Sequence, residues 1–320
     1  MKRGKVRKHQ KRETLMASES KVPMQAPPDS YSERSLCLQL LPSFIALAWL
    51  AAKASWFWNH QPDLSFGWIV IFLCVFLFWE SWQVRPSATL KVGWPSVSCG
   101  IAGIGLLFTF QIYQAAFGLK PAALVGLALA VMLVVTANLH YVFGWKGIMK
   151  FLFPYAFILI ALPMPSVVHG FVVNGLQHQV AFATVEILEV IGIPADLAGS
   201  VIHLSSGPVG VDEACSGIRS LQSTVMATLF IGFLMLKELG LRILLFFAGI
   251  ALAVFGNLMR VLFLSYQAHH HGIESIDANH DAAGWFILLF TIGGVALLSW
   301  LLGKLQRAME ASPRPDPSRY

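Results

Sequence analysis

The segment DEACSGIRS, residues 212–220, sets one cysteine among polar and charged neighbours just before a long apolar run. That run continues almost unbroken over residues 221–236, so we expect Cys215 at a membrane–water boundary near a helix N-terminus. The helix dipole and the free N–H groups there favour the thiolate over the thiol. Arg219 follows by one helical turn and can stabilise that thiolate. Cys215 is therefore a candidate nucleophile.

The remaining cysteines need no chemical role. Cys37, Cys74 and Cys99 lie inside or beside apolar runs, where a thiol behaves as a small hydrophobic group. The chain has no CxxC spacing, which argues against a metal knuckle or a redox pair. The polar neighbours expected to support Cys215 or to contact a substrate are Glu213, Ser216 and Arg219.

A second group of polar residues lies in an otherwise apolar helix at 241–266. Asn257 and Arg260 are three residues apart, which places them on one face of that helix. Insertion of an arginine into a membrane costs roughly 2.5–3.5 kcal/mol, so Arg260 should face the protein interior and meet an acceptor. Two roles are open for it. One is structural, either a pair with a carboxylate or helix-end carbonyls or snorkelling to the interface, and the other is a fixed cation that binds a carbonyl, carboxylate or developing oxyanion.

Histidines follow this helix. His280 precedes Asp281 and the last apolar run, so its imidazole can accept a thiol proton while a carboxylate orients the ring. The alternative is a solvated loop histidine. The triplet at 269–271 suggests a metal at first sight, but adjacent positions rarely converge on one ion. We expect no metal site and assign the triplet no chemical role.

The elements that position these residues are membrane helices. The chain is 56% hydrophobic and 12% charged, far from the roughly one-quarter charged residues of a soluble domain. Apolar runs near the ~20-residue length of a span predict an all-α polytopic bundle of about eight transmembrane helices. These runs are 36–56, 65–80, 95–117, 122–142, 148–163, 221–236, 241–266 and 282–302. The second and fifth are short for full spans.

Charge predicts the orientation of the bundle. Nine of the 23 Lys and Arg residues precede Ser35, which predicts a disordered basic cytoplasmic tail over 1–34 and not a nucleic-acid-binding arm. Loop cations then favour both termini inside, with a catalytic domain over 35–304 and a cytoplasmic tail over 305–320. Cys215, Arg260 and His280 would share the external face.

The long external segment 164–220, which contains Cys215, should have two parts before the cysteine. Its first half mixes apolar residues with His169, Gln177 and Glu186, which predicts an interfacial amphipathic helix. After Pro194 the pattern SVIHLSSGPVG predicts a small hairpin or, equally, an irregular loop.

These motifs together resemble the exosortase/archaeosortase family of membrane transpeptidases. Three motifs match the family pattern in their order along the chain and in their predicted side of the membrane. They are ACSGIRS before a helix, N-x-x-R late in the next helix and His-Asp at the start of the last one. The resemblance implies that Cys215, Arg260 and His280 are catalytic, with Asn257 and Asp281 in support. It also implies substrates that are exported proteins ending in a PEP-CTERM-like signal: a short motif, a transmembrane helix and a basic tail.

The implied reaction passes through a thioester and needs no cofactor. An amine or hydroxyl acceptor, such as a surface glycan or lipid, completes transfer, whereas water completes proteolysis. Two other classes stay open on the residues alone. One is a transporter or channel, for which no repeated half is evident. The other is an intramembrane serine protease that uses Ser216 or Ser220.

Overall fold

The structure is a computed structural model of the 320-residue chain and describes residues 31–210 and 218–311. Its helices are α1 Glu33–His60, α2 Gly67–Gln83, α3 Trp94–Phe117, α4 Pro121–Ala156, α5 Ser166–Val190, α6 Ile218–Met235, α7 Leu239–His271 and α8 Glu274–Ala311. Short 3₁₀ turns occupy Pro62–Leu64 and Phe157–Ala161. The protein is an all-α polytopic membrane protein, as the composition predicts.

Six helical stretches in the described residues are long and apolar enough to cross a membrane. The second, Pro62–Gln83, measures 22 residues because a 3₁₀ turn precedes α2. The second apolar run, which is short in the sequence, therefore belongs to a helical stretch long enough to cross a membrane. Helix α6 is apolar but shorter, and α5 is not among the six. The predicted count of eight spans stays a prediction.

The fourth and fifth apolar runs form one helical stretch that is broken at Gly144. Its φ of 66° and ψ of −159° lie in a region that residues with a Cβ avoid. The backbone before the break is capped from another segment, since the N–H groups of Thr89 and Lys91 donate to the carbonyls of Val142 (2.8 Å) and Tyr141 (3.1 Å). Glycine and the extended segment together end one helix and start the next.

Residues 31–49, 75–108 and 129–156 form one compact unit. Its interior is aromatic: the ring of Phe151 stacks on those of Phe78 and Phe143, with centroids 5.0 and 5.7 Å away. Helices α3 and α4 approach closely at Gly103, where a Cβ would lie 2.9 Å from Val134. The residues singled out as chemical candidates lie outside this unit.

Residues 50–74, 109–128 and 157–311 form the second unit, which holds α5 to α8 and a three-stranded antiparallel sheet. The strands are β1 Ala195–Ala198, β2 Val201–Leu204 and β3 Gly207–Gly210. The β2–β3 pair confirms the predicted hairpin, and β1 is an additional strand that the pattern did not reveal.

The sheet is anchored by apolar packing between α5 and α7. Ile202 and Val209 from the sheet join Leu188 of α5 and Val261 of α7 in one buried cluster. The predicted helix before the hairpin is confirmed as α5, which buries one face. Its buried residues recur at three- and four-residue steps: Val173, Gln177, Val180, Ala181, Thr184, Val185 and Leu188. This packing fixes the position of β3, the last described element before residues 211–217.

Candidate functional site

Helices α7 and α8 run antiparallel and approach closely because small residues face their partners. A Cβ on Gly256 of α7 would lie 3.2 Å from the side chain of Ile287 on α8, and Gly294 of α8 faces Leu252 of α7. The last helix begins at Glu274, eight residues before the apolar run that predicted it. His280 therefore lies within α8, opposite Arg260 of α7.

Arg260 and His280 are in direct contact. Nη2 of Arg260 lies 3.0 Å from Nε2 of His280 and 3.4 Å from the main-chain oxygen of the same residue. A guanidinium only donates hydrogen bonds, so Nε2 accepts and the proton of the neutral ring lies on Nδ1. Nδ1 is 3.4 Å from Oδ1 of Asp281. The acceptor that Arg260 was predicted to meet is therefore His280, the predicted base.

A cavity of about 380 Å³ opens beside this pair. Its lining residues are Ser220, Ser223, Asn257, Arg260, His280, Asp281, Gly284, Trp285, Ile287 and Leu288. The side chain of His280 is 30% exposed, whereas Asn257 is buried. The Nδ2 group of Asn257 has no hydrogen-bond partner among the described residues. The cavity therefore offers an amide donor, a guanidinium and an imidazole to one ligand.

Five lining residues escaped the sequence analysis: the apolar Ile287 and Leu288, and also Ser223, Gly284 and Trp285. Helical spacing could have identified the last three, since Ser223 is three residues after Ser220, and Gly284 and Trp285 are three and four after Asp281. A Cβ at Gly284 would lie 3.4 Å from Nη2 of Arg260, an ordinary van der Waals contact, so only a side chain larger than alanine would press on the guanidinium.

The segment that holds the predicted nucleophile lies outside the described residues. This applies to Cys215, Glu213 and Ser216, and to the side chain of Arg219 in the first turn of α6. Cys215 precedes Ile218 by three residues, so their Cα atoms are at most about 11 Å apart. Ser220, the rival nucleophile of the serine-protease alternative, lines the cavity with Arg260 and His280.

The histidine triplet lies away from this cavity, in the last turn of α7. His269 approaches Ser205 of the turn between β2 and β3, with 3.4 Å between Nδ1 and Oγ. Among the residues that the structure describes, no group of three His, Cys, Asp or Glu side chains is placed to hold a metal ion.

Comparison with known families identifies the chain. The profile of the transmembrane exosortases matches residues 58–298, most of the protein. The chain belongs to the transmembrane exosortase family. This exosortase is a multi-pass membrane protein, and its family comprises cysteine proteases and transpeptidases that act on exported proteins with sorting signals. Neither the curated proteins nor the solved structures gave a match.

Proposed function

We propose that this exosortase is a cysteine transpeptidase that removes the C-terminal signal of exported proteins and passes the new C-terminus to an acceptor. The signal would comprise a short motif, a transmembrane helix and a basic tail. One observation carries the proposal: the Arg260–His280 contact borders a cavity that the first turns of α6 also line, directly after the segment with Cys215. Family membership supports the same chemistry.

In the first half of the reaction, Sγ of Cys215 attacks the scissile carbonyl carbon. A C–S bond forms, the C–N bond breaks, and the imidazole of His280 carries the thiol proton to the departing amine. In the second half, an acceptor hydroxyl or amine gives its proton to His280 and attacks the thioester. The C–S bond then breaks and the thiolate is restored.

Arg260 has a double role in this scheme. Its guanidinium occupies Nε2 of His280, so that nitrogen can take a proton only after the guanidinium turns to another acceptor. The carbonyl oxygen of the substrate is such an acceptor and becomes an oxyanion during attack. Binding of the substrate would draw Arg260 away and free the base. The unpartnered amide of Asn257 would donate to the same substrate.

A serine protease is the second candidate because Ser220 lines the cavity with His280. Substitution separates the two nucleophiles. Cys215→Ala and Cys215→Ser should both abolish processing, since neither keeps a thiolate near neutral pH. Ser220→Ala should retain it. The measurement is the ratio of precursor to processed substrate in membranes with matched amounts of each variant.

Matched controls come from the other cysteines. Alanine at Cys37, Cys74 or Cys99 should be tolerated, since we assign these thiols no chemistry. Normal processing by Cys215→Ala would end the nucleophile assignment, and loss of processing in Ser220→Ala alone would move it to the serine.

A further inference from the structure

A second cavity, of about 440 Å³, lies at the start of the same helix α6. It is lined by the turn between α1 and α2, by the segment that leads into α5, and by Ile218 and Gln222 of α6. Its volume falls within the ~300–1,000 Å³ of ligand-binding clefts. No lining residue is shared with the cavity at His280.

The two cavities lie on opposite faces of α6. Ile218 and Gln222 are four residues apart and share one face, and Ser220 and Ser223 are three apart and share another. At 3.6 residues per turn, the centres of the two pairs differ by roughly 150° around the helix axis.

The proposed reaction assigns a different part of the substrate to the cavity on each face of α6. His280 must protonate the departing amine and later deprotonate the acceptor, so both groups bind on its side of α6. The acyl portion, the peptide before the scissile bond, needs a separate place. Ile218, whose Cα lies at most about 11 Å from that of Cys215, lines the cavity on the opposite face.

The polar groups of this second cavity match a peptide backbone. Oε1 of Gln222 is buried and has no hydrogen-bond partner among the described residues. Nδ1 of His60 lies 2.7 Å from the carbonyl oxygen of Trp56 and donates to it, so Nε2 of the neutral ring is an acceptor. These two acceptors match a ligand that donates hydrogen bonds, and the main-chain N–H groups of a peptide are such donors.

The lining of the cavity favours an uncharged ligand over an anion, although two imidazoles, His60 and His169, lie in it beside Asp63. None of the described residues that line it is Lys or Arg, and Asp63 is an ionisable carboxylate. Pro62, Pro121 and Pro163 add apolar surface that offers no N–H group of its own. An uncharged, extended peptide fits this combination.

The geometry points to the cavity at Gln222 as the site that binds the substrate peptide immediately N-terminal to the scissile bond. This inference rests on the proposed function. It makes Gln222 and His60 residues that position and select the sorting motif, with no part in bond making.

Photocrosslinking tests the assignment. The probe is an exported reporter that ends in a sorting signal encoded by the same genome, and the enzyme carries Cys215→Ser to keep the reporter intact. The photoreactive residue p-benzoylphenylalanine replaces Met164 of the second cavity or, as a matched position, Trp285 of the cavity at His280. Mass spectrometry maps each adduct relative to the bond that the wild-type enzyme cleaves.

We expect adducts from Met164 on the N-terminal side of that bond and adducts from Trp285 on the C-terminal side. No adduct from Met164, or one only on the C-terminal side, overturns the inference. If Cys215→Ser blocks processing in that case, the proposed function survives and only the site assignment fails. If Cys215→Ser still processes the reporter, the proposed function fails as well.

A kinetic arm needs no photoreactive residue. Gln222→Met keeps the size of the side chain but removes its acceptor, and loss of one hydrogen bond should lower kcat/KM about tenfold, through KM. Gln267→Met, in the last turns of α7 and outside both cavities, is the control and should leave kcat/KM unchanged. An effect of Gln222→Met on kcat alone would overturn a role in binding.

Discussion

Gly284 of α8 lies directly beside the guanidinium of Arg260, since a Cβ at this position would be in van der Waals contact with Nη2, 3.4 Å away. A larger side chain should push Arg260 away from His280. We expect Gly284→Val to lower kcat/KM for processing about tenfold or more, with a smaller effect for Gly284→Ala. Gly293→Val on the same helix is the control because open space surrounds Gly293. Equal losses in both valine variants would exclude a specific effect on Arg260.

Arg260→Lys tests whether charge alone suffices. Lysine keeps the cation but loses the planar guanidinium, whose Nη2 contacts both Nε2 and the main-chain oxygen of His280 and whose several N–H groups can donate to an oxyanion. We expect a loss of about 100-fold or more in kcat, the size seen when one oxyanion donor is removed. Arg242→Lys, a conservative change near the start of α7, is the control. Near-normal kcat in Arg260→Lys would reduce Arg260 to a structural cation.

His280 and the histidine triplet should behave in opposite ways. His280→Ala removes the proposed acid and base, and we expect precursor to accumulate with a rate loss of roughly 10²–10⁴-fold. Replacement of His269, His270 and His271 together by alanine should cost little. The readout is the precursor-to-product ratio at matched enzyme levels. An inactive triple variant beside an active His280→Ala would reverse the assignment and reopen a metal site.

The membrane orientation is a prediction from the loop cations. A reporter fused after Tyr320 should be cytoplasmic, whereas one inserted near Gly207 should be external. Protease protection in spheroplasts measures both positions, and the cytoplasmic reporter serves as the control for intact membranes. An internal location for the Gly207 insertion would rule out cleavage of exported substrates at this site.

The break in α4 should depend on glycine. Gly144→Ala places a Cβ on backbone with a φ of 66°, and we expect a destabilisation of about 1–3 kcal/mol. Gly105→Ala, in the regular part of α3 and with open space around it, is the control. Thermal unfolding in detergent compares the two variants. An unchanged melting temperature for Gly144→Ala would show that the chain adopts the break without glycine.

The lengths of the apolar runs and the polar residues between and within them determined much of the fold of this protein from the sequence alone. Bilayer thickness demands long apolar helices, so composition predicted the all-α membrane fold. Ser-Ser-Gly-Pro indicated a hairpin or, equally, an irregular loop, and β2 and β3 form the hairpin. The cost of a buried cation similarly predicted an inward-facing Arg260 with an acceptor.

Tertiary packing decided the rest. Apolar runs mark the part of a helix that lipid requires, so they missed the polar first turns of α8, which hold His280. Which side chains on different helices come into contact depends on the distances between those helices, and residue spacing along the chain does not reveal these distances. The pairing of Arg260 with His280, the room left by Gly284, and the separation of two cavities by α6 therefore emerge only when α6, α7 and α8 pack together.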